Sequence, residues 1–421
     1  MKFLLQQKSK TELLLLRVLG ASGKVVLPAF LPAFASKAQI TEIAAYAFSQ
    51  SPFPLPDRQT LLIYDSLTGS AVSCVDVSDA DWERLLSDSV ACERLLSLSL
   101  PASVQKIGRY AFYNCSRLSA LSFYSTTNDL GQGLFTGCSG VRTLSAVVNE
   151  ASRSSLFEIL MELRYPLRVS YYTETAAAQT RGIAWQAEDD IASEVQVSAK
   201  QPSQLKYRLI FPEFYENADE NTPARITTRD LRGSGLMYRN CFANTQFQIK
   251  RYDALFPYAK ALEPETVTAE LALCRLEVPT ELSEEFSEKY RSFLAAHPQS
   301  FLDALLKHLA NALCSLSDIR ALFSRSFPKA VFPALCSNLI DALSVKTEPL
   351  PQIRELLPLL MDLNAPASVS DAFCKSKQQT TASGHAYADK QEIADGHPSA
   401  DEQAASDKQA ETGRRRRHFE L

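Results

Sequence analysis

Glu213, Glu216, Asp219 and Glu220, interleaved with Asn217 and Asn221, form a run of oxygen donors. Carboxylate and amide oxygens are what hard cations such as calcium or magnesium take, and paired acids are the raw material of general acid–base catalysis. The spacing does not fit the D-x-[DN]-x-[DN]-G loop of an EF-hand. Arg225, Arg229 and Arg232 follow closely enough to pair with the acids. A polar connection that caps helices and docks two halves of the molecule accounts for the same residues without a cation. Gly233-Ser234-Gly235 supplies a Gly-x-Gly, but Leu236 and Tyr238 follow and no third glycine arrives, so a glycine turn is expected rather than a phosphate loop. Cys241 has no histidine near it, because all five histidines lie at or beyond His297. His297 and His308 sit on an amphipathic stretch and read as core or interface residues. No Cys/His cluster has zinc-ligand spacing, so neither a metal site nor a cofactor is assigned. The last eight residues, Arg414-Arg415-Arg416-Arg417-His418-Phe419-Glu420-Leu421, join four cations to two apolar anchors. They suit an acidic groove on a protein partner, with Arg414, Arg415, Arg416, Arg417, Phe419 and Leu421 as the contact residues.

The element that positions most of the chain's first third is a repeat. Leu118, Leu121, Gly131, Phe135 and Cys138 each stand 23 residues after Leu95, Leu98, Gly108, Phe112 and Cys115, and Leu144 follows Leu121 by the same step. A period of about 20–29 residues with leucines at strand spacing is the mark of leucine-rich repeats. Leu96, Leu98 and Leu100 alternate with Ser97 and Ser99, the period of two of a strand with one buried face. Pro101 ends the strand, Gly108 and Gly131 are expected at tight turns, and Cys115 and Cys138 fill a small buried niche. Ile40 to Phe48 lines up with Val104 to Phe112 as a looser copy, and residues 51–94 read as a divergent repeat with an insertion. Leu13 to Leu19 and Val25 to Leu27 read as a strand pair turned at Gly20 and Gly23.

With Leu98, Leu121 and Leu144 buried, Ser97, Ala120 and Thr143 form one outward column, and Ser99, Ser122 and Ser145 the next. These six residues make an uncharged strip of small side chains that a partner could approach closely. A solvated strand surface is the plain alternative.

After Val148 the period stops. Ser155 to Leu163 predicts a helix, and Leu167 to Tyr172 and Leu205 to Pro212 predict strands. From Arg251 the apolar spacing of three and four predicts a series of short helices, exemplified by Phe301, Ala304, Leu305, His308, Leu309 and Ala312. Residues 376–413 are polar and nearly free of large apolar side chains, so disorder is expected there.

The unit from Leu98 to Leu118 resembles the BspA-type leucine-rich repeat, L-P-x-x-V-x-x-I-G-x-x-A-F-x-x-C-x-x-L. It carries Leu100-Pro101, Val104, Ile107-Gly108, Ala111-Phe112, Cys115 and Leu118 in register. The next unit departs from it, with Tyr124 in place of the proline and Leu134 in place of the alanine. The resemblance covers residues 25–147. It implies a repeat fold that displays a surface, as in bacterial surface proteins and some protist proteins. The remainder is similar to a group of cytoplasmic leucine-rich repeat proteins of clostridial bacteria, which implies no activity.

The expected fold is α+β. A leucine-rich repeat solenoid of short strands occupies 1–148, clear at 95–147 and divergent at 25–50. A connecting α+β segment fills 149–250, an all-α helical array fills 251–365, and 366–421 form a disordered tail. The net charge of −4 exerts no general pull on nucleic acid. No apolar run approaches the length that a membrane span requires. The start carries no signal-peptide pattern, and the nine cysteines include no C-x-x-C pair. A cytoplasmic, non-enzymatic protein that holds protein partners is therefore expected. The rivals are a hydrolase or metal-dependent enzyme centred on Glu213 to Cys241, and a secreted repeat adhesin.

Overall fold

Leu98, Leu121 and Leu144 lie side by side in the computed structural model. It describes residues 1–20, 22–33, 38–50, 55–149, 153–174, 203–221, 226–346 and 351–364, without the side chains of 203, 217–221 and 226–230. Strands β1 (Lys2–Gln7), β2 (Glu12–Leu19), β3 (Lys24–Val26), β4 (Gln39–Ile43), β5 (Leu61–Asp65) and β6 (Ser70–Ser73) precede helix α1 (Asp79–Ser87). Then come β7 (Ser97–Ser99), β8 (Lys106–Ile107), β9 (Ala120–Tyr124), β10 (Asp129–Leu130), β11 (Thr143–Val148) and α2 (Leu156–Glu162). β12 (Leu167–Glu174), β13 (Ser203–Phe211), β14 (Tyr215–Asn221) and β15 (Ile226–Arg232) lead to α3 (Gly235–Arg239) and to the short strands β16 (Phe242–Ala243) and β17 (Gln246–Phe247). The rest is helical: α4 (Ile249–Ala254), α5 (Phe256–Leu262), α6 (Glu265–Glu277), α7 (Glu284–Ala296), α8 (Pro298–Ala310), α9 (Leu316–Ser326), α10 (Phe332–Ser344) and α11 (Pro351–Asn364).

Each coil of the repeat gives one strand to each of two sheets. The first sheet has the order β13-β12-β11-β9-β7-β3, parallel from β3 to β12 and closed by antiparallel β13. The second runs β10-β8-β4-β2-β1-β5-β6, parallel from β10 to β2. Between the sheets Phe48, Phe112 and Phe135 stack at 5.6 and 5.5 Å. The Cys115 and Cys138 thiols donate to the carbonyls of Phe48 and Phe112, at 3.4 and 2.9 Å. The niche is thus small, buried and polar at one point, which explains a thiol there better than hydrophobicity alone.

The strand pair expected from Leu13 to Leu27 does not form. β2 and β3 go to different sheets, β2 beside β4 and β3 beside β7. The chain crosses the core between them because Leu15 matches Ile43 and Val25 matches Leu98 in the repeat register. Lateral packing over the whole ladder outweighs a local turn. Residues 55–94 are no further coil either. β5 and β6 widen the second sheet by antiparallel pairing to β1, and α1 buries Trp82 against Leu4, Leu16, Leu61 and Ile63.

Gly108 and Gly131 correct a second expectation. Neither has a positive φ. A Cβ at Gly131 would stand 2.2 Å from Arg109 N, and one at Gly108 would stand 2.4 Å from Ala45 N. These glycines set the spacing between coils rather than turn the chain. Gly131→Ala is therefore expected to destabilise the protein by about 2–3 kcal/mol, since backbone and not a flexible side chain must yield. A urea unfolding curve checks this.

α2 delays the next strand, so β12 joins the ladder later than the repeat period would place it, with Arg168 opposite Thr143. The stretch from Glu213 to Arg225, expected as a polar connection, is mainly strand. β14 pairs with β15 in a separate antiparallel ribbon, with Asn217 opposite Asp230 and Glu220 opposite Thr227. Residues 222–225 lie outside the described residues. In the helical part, α6 packs on β13 and α8, and a capping box between Ser315 and Asp318 starts α9. The expected α8 stripe of Phe301, Ala304, Leu305 and His308 is buried, while Ala312 lies past the helix at φ 50°. One buried cluster runs continuously from Phe3 to Leu360, and Met1–Asn364 form one compact unit. Among the described residues no helix is long and apolar enough to cross a membrane. The tail lies outside the described residues, with Arg414, Arg415, Arg416, Arg417, Phe419 and Leu421.

Candidate functional site

The strip predicted from the repeat is continuous in register. Lys24, Ser97, Ala120, Thr143 and Arg168 stand opposite one another across five strands, and so do Val26, Ser99, Ser122, Ser145 and Ser170. Between the two rows runs the buried ladder of Val25, Leu98, Leu121, Leu144 and Val169. Alternation on a strand turns one row of side chains inward and its neighbours outward. Lys24 and Val26 are exposed, the six predicted residues are half-buried, and Arg168 and Ser170 are buried. The strip is open at the β3 end and covered at the β12 end. Lys24, Val26, Arg168 and Ser170 were missed by the sequence reading. Their signal was masked because the step from β11 to β12 is longer than the repeat period and an insertion separates β3 from β7.

Helix α6 makes the cover. Glu270, Cys274 and Glu277 are spaced four and three apart, so they share a face of α6. Glu270 accepts from Arg168 of β12, Nε at 3.2 Å and Nη2 closer still, and Lys307 Nζ of α8 stands 2.5 Å from its other oxygen. Glu277 accepts from Arg208 of β13 and from His308 Nδ1 at 2.8 Å. His308 Nε2 faces Cys274 Sγ at 3.8 Å and Glu270 Oε1 at 4.0 Å. The tautomer that serves these contacts carries its proton on Nδ1 and accepts from the thiol at Nε2.

Cys274, His308 and Glu277 thus stand in the order of a nucleophile, a base and an orienting acid. Their surroundings oppose that role. Cys274 and His308 are completely buried. Burial, with Glu277 and Glu270 nearby, holds the Cys274 thiol well above its ordinary pKa, which disfavours the thiolate a nucleophile needs. The same three residues carry metal-donor atoms. Arg168, Arg208 and Lys307 already surround Glu270 and Glu277, so a dication would enter against a net positive charge. The cluster is a buried interlock between the strand ladder and the helices.

The BspA-type leucine-rich repeat model matches residues 31–142 and 89–158, in six copies. Residues 31–158 are a BspA-type leucine-rich repeat region. No curated protein and no solved structure matches the chain. The middle of the strip, from Ser97 to Ser145, and the Phe48–Phe112–Phe135 stack belong to the BspA-type region, and such repeats generally bind through the surface their strands display.

The other candidates lie outside the BspA-type region, and those whose side chains are described do not meet at one place. Glu213 is exposed, and Gly233 and Gly235 press on its carbonyl: a Cβ at either would stand 2.5 Å from Glu213 O. The glycine pair is a close-packing turn, as expected. Ser234 N and Oγ both donate to Glu263 Oε1, at 2.5 and 2.6 Å. The side chains of Asn217, Asp219, Glu220, Asn221 and Arg229, and all of Arg225, fall outside the described residues. Cys241 is buried, and burial pushes its thiol up to about 12. His297 packs on the Phe293 ring at 4.1 Å, with Nδ1 2.8 Å from the Phe293 carbonyl.

Proposed function

We propose that this chain is a non-enzymatic interaction protein that holds a protein partner on the open part of its strand ladder. The observation that carries the reading is the gradient along the strip. Two rows of small, uncharged side chains run in register from exposed Lys24 and Val26 to the point where Arg168 is closed off by Glu270. A solenoid face of this kind presents flat backbone and hydroxyls that an approaching surface can reach, and the helices that end it supply a wall. The basic-aromatic terminus, Arg414 to Leu421, would add a second contact to the same partner. The reading places the protein in the cytoplasm, which is supported by thiols such as Cys115 and Cys138 that stand free in neighbouring coils.

Ser122→Arg puts a long cation in the middle of the strip without touching the core. It is expected to leave the unfolding midpoint unchanged and to weaken capture of the native partner about tenfold, or about 1.4 kcal/mol. Affinity purification from the native cell, followed by titration of the partner identified, measures it. Equal binding by Ser122→Arg and wild type would remove the strip from consideration.

A further inference from the structure

Beyond the strip, the return legs of the repeat carry a pocket that no part of that reading uses. A cavity of about 490 Å3 lies among the turns after β4, before β7 and after β8, lined by Gln50, Glu93, Tyr113, Asn114 and Ser116. Tyr113 also belongs to an aromatic group. The rings of Tyr46 and Tyr110 stack at 5.4 Å and 23°, and Tyr113 stands edge-on to Tyr110 at 5.9 Å. All three tyrosines are half-buried, and Asn114 is exposed. We propose that this pocket binds a carbohydrate, with a pyranose ring resting on Tyr113, which Tyr110 backs edge-on, and its hydroxyls held by Gln50, Glu93 and Asn114.

The chemistry fits in three respects. A pyranose has an apolar face of C–H groups, which packs on the electron-rich face of an aromatic ring. Its hydroxyls stand as neighbouring donors and acceptors, which planar amide and carboxylate side chains satisfy in pairs. The volume falls within the ~300–1,000 Å3 of small-ligand sites, enough for one or two sugar rings. Among the described residues no cation lines the pocket, so a phosphate or other anion would meet Glu93 without compensation from them.

The backbone also holds these side chains where a simpler residue would serve the fold. Tyr110 and Asn114 lie in the left-handed region, at φ 54° and 59°. In the next coil the equivalent positions are Gly133 and Gly137, at φ 64° and 79°. Glycine takes that conformation freely, and tyrosine does not. The two glycines also make room for Asn114, which lines the pocket, and for Tyr110, which backs Tyr113. A Cβ at Gly133 would stand 2.4 Å from the Tyr110 ring, and one at Gly137 would stand 2.2 Å from Asn114 Oδ1. The later coil is thus built around the tyrosine and the asparagine of the earlier one.

The test is saturation-transfer NMR and calorimetry on the full chain, with oligosaccharides of glucose, mannose, galactose and N-acetylglucosamine up to ~10 mM, the weak end of specific recognition. At least one is expected to bind. Tyr110→Gly and Asn114→Gly adopt the residue the next coil already uses, so both should fold, and each should lower affinity at least tenfold. Tyr113→Leu keeps an apolar side chain and removes the aromatic face, with the same result expected if Tyr110→Gly proves unstable. Ser122→Arg, on the strand ladder, should bind the sugar normally. Binding of no sugar by the wild type, or undiminished binding by folded Tyr110→Gly, Asn114→Gly and Tyr113→Leu, would overturn the proposal.

Discussion

Arg239→Ala is expected to lower stability by at least about 5 kcal/mol, a large part of the ~5–15 kcal/mol that holds a typical domain folded. Arg239 is completely buried and, among the described residues, hydrogen-bonds to no carboxylate. Its guanidinium instead donates to five backbone carbonyls, those of Leu160, Leu163, Tyr165, Pro212 and Gly235. Its flat face lies 4.9 Å from the Phe214 ring. Burial pulls its pKa down to about 9, which leaves the group charged at neutral pH. The residue joins the end of α2, the end of β13 and the start of α3 at one point. Truncation leaves several buried acceptors without a donor, and each costs about 1–3 kcal/mol. Arg239→Lys should recover little, because one ammonium on a flexible stem cannot reach five acceptors arranged for a planar fork. Arg117→Ala, at an exposed position, is the control and should change stability by no more than about 0.5 kcal/mol. Urea unfolding followed by circular dichroism measures all three.

The second large effect is expected at the α6 interlock. Glu277→Ala leaves His308 and Arg208 without their acceptor in a buried setting, and Arg208 Nε already has no partner. Breaking a buried ion pair from one side costs about 3–5 kcal/mol. The same cluster makes stability depend on acid. Burial alone would raise Glu270 and Glu277. Arg168 and Lys307 around the first, and His308 and Arg208 around the second, outweigh it and hold both below the ordinary carboxylate value. A carboxyl with a depressed pKa in the folded state binds its proton more readily when unfolded. Its contribution is therefore complete above the unfolded value of about 4.3 and is lost as pH falls through the folded value. The urea midpoint is expected to drop steeply below about pH 4, and Glu277→Gln should both start lower at pH 7 and fall less on acidification. A wild-type midpoint that stays flat between pH 5 and 3 would contradict this assignment of the interlock.

The repeat strands were legible because their side chains answer to a fixed period. Leu98, Leu121 and Leu144 each need the same burial, and the structure repeats as the sequence does. Ser97, Ser99, Ala120, Ser122, Thr143 and Ser145 followed by alternation alone. Arg168 and Ser170 were not found, because α2 breaks the period and only the fold restores the ladder beyond it. The strand Tyr215–Asn221 within the stretch from Glu213 to Arg225 was not foreseen, because pairing in a separate two-stranded ribbon needs no apolar alternation along the chain. Cys274 and His308, on separate helices far apart in the chain, were not joined, because their contact depends on how α6 and α8 pack.

The sequence by itself determined the register of the coils, the strip they display and the amphipathic faces of the later helices. Those properties follow from the strand, helix and repeat periods, and each is local to one element or one repeat. The tertiary structure decided which end of the strip stays open, which polar residues become a buried interlock, and why Gly108 and Gly131 are glycines. It also decided that Tyr113 and Asn114 gather with Gln50 and Glu93 around one pocket. These properties depend on residues brought together from distant elements by the shared core, and no spacing along the chain encodes such a meeting.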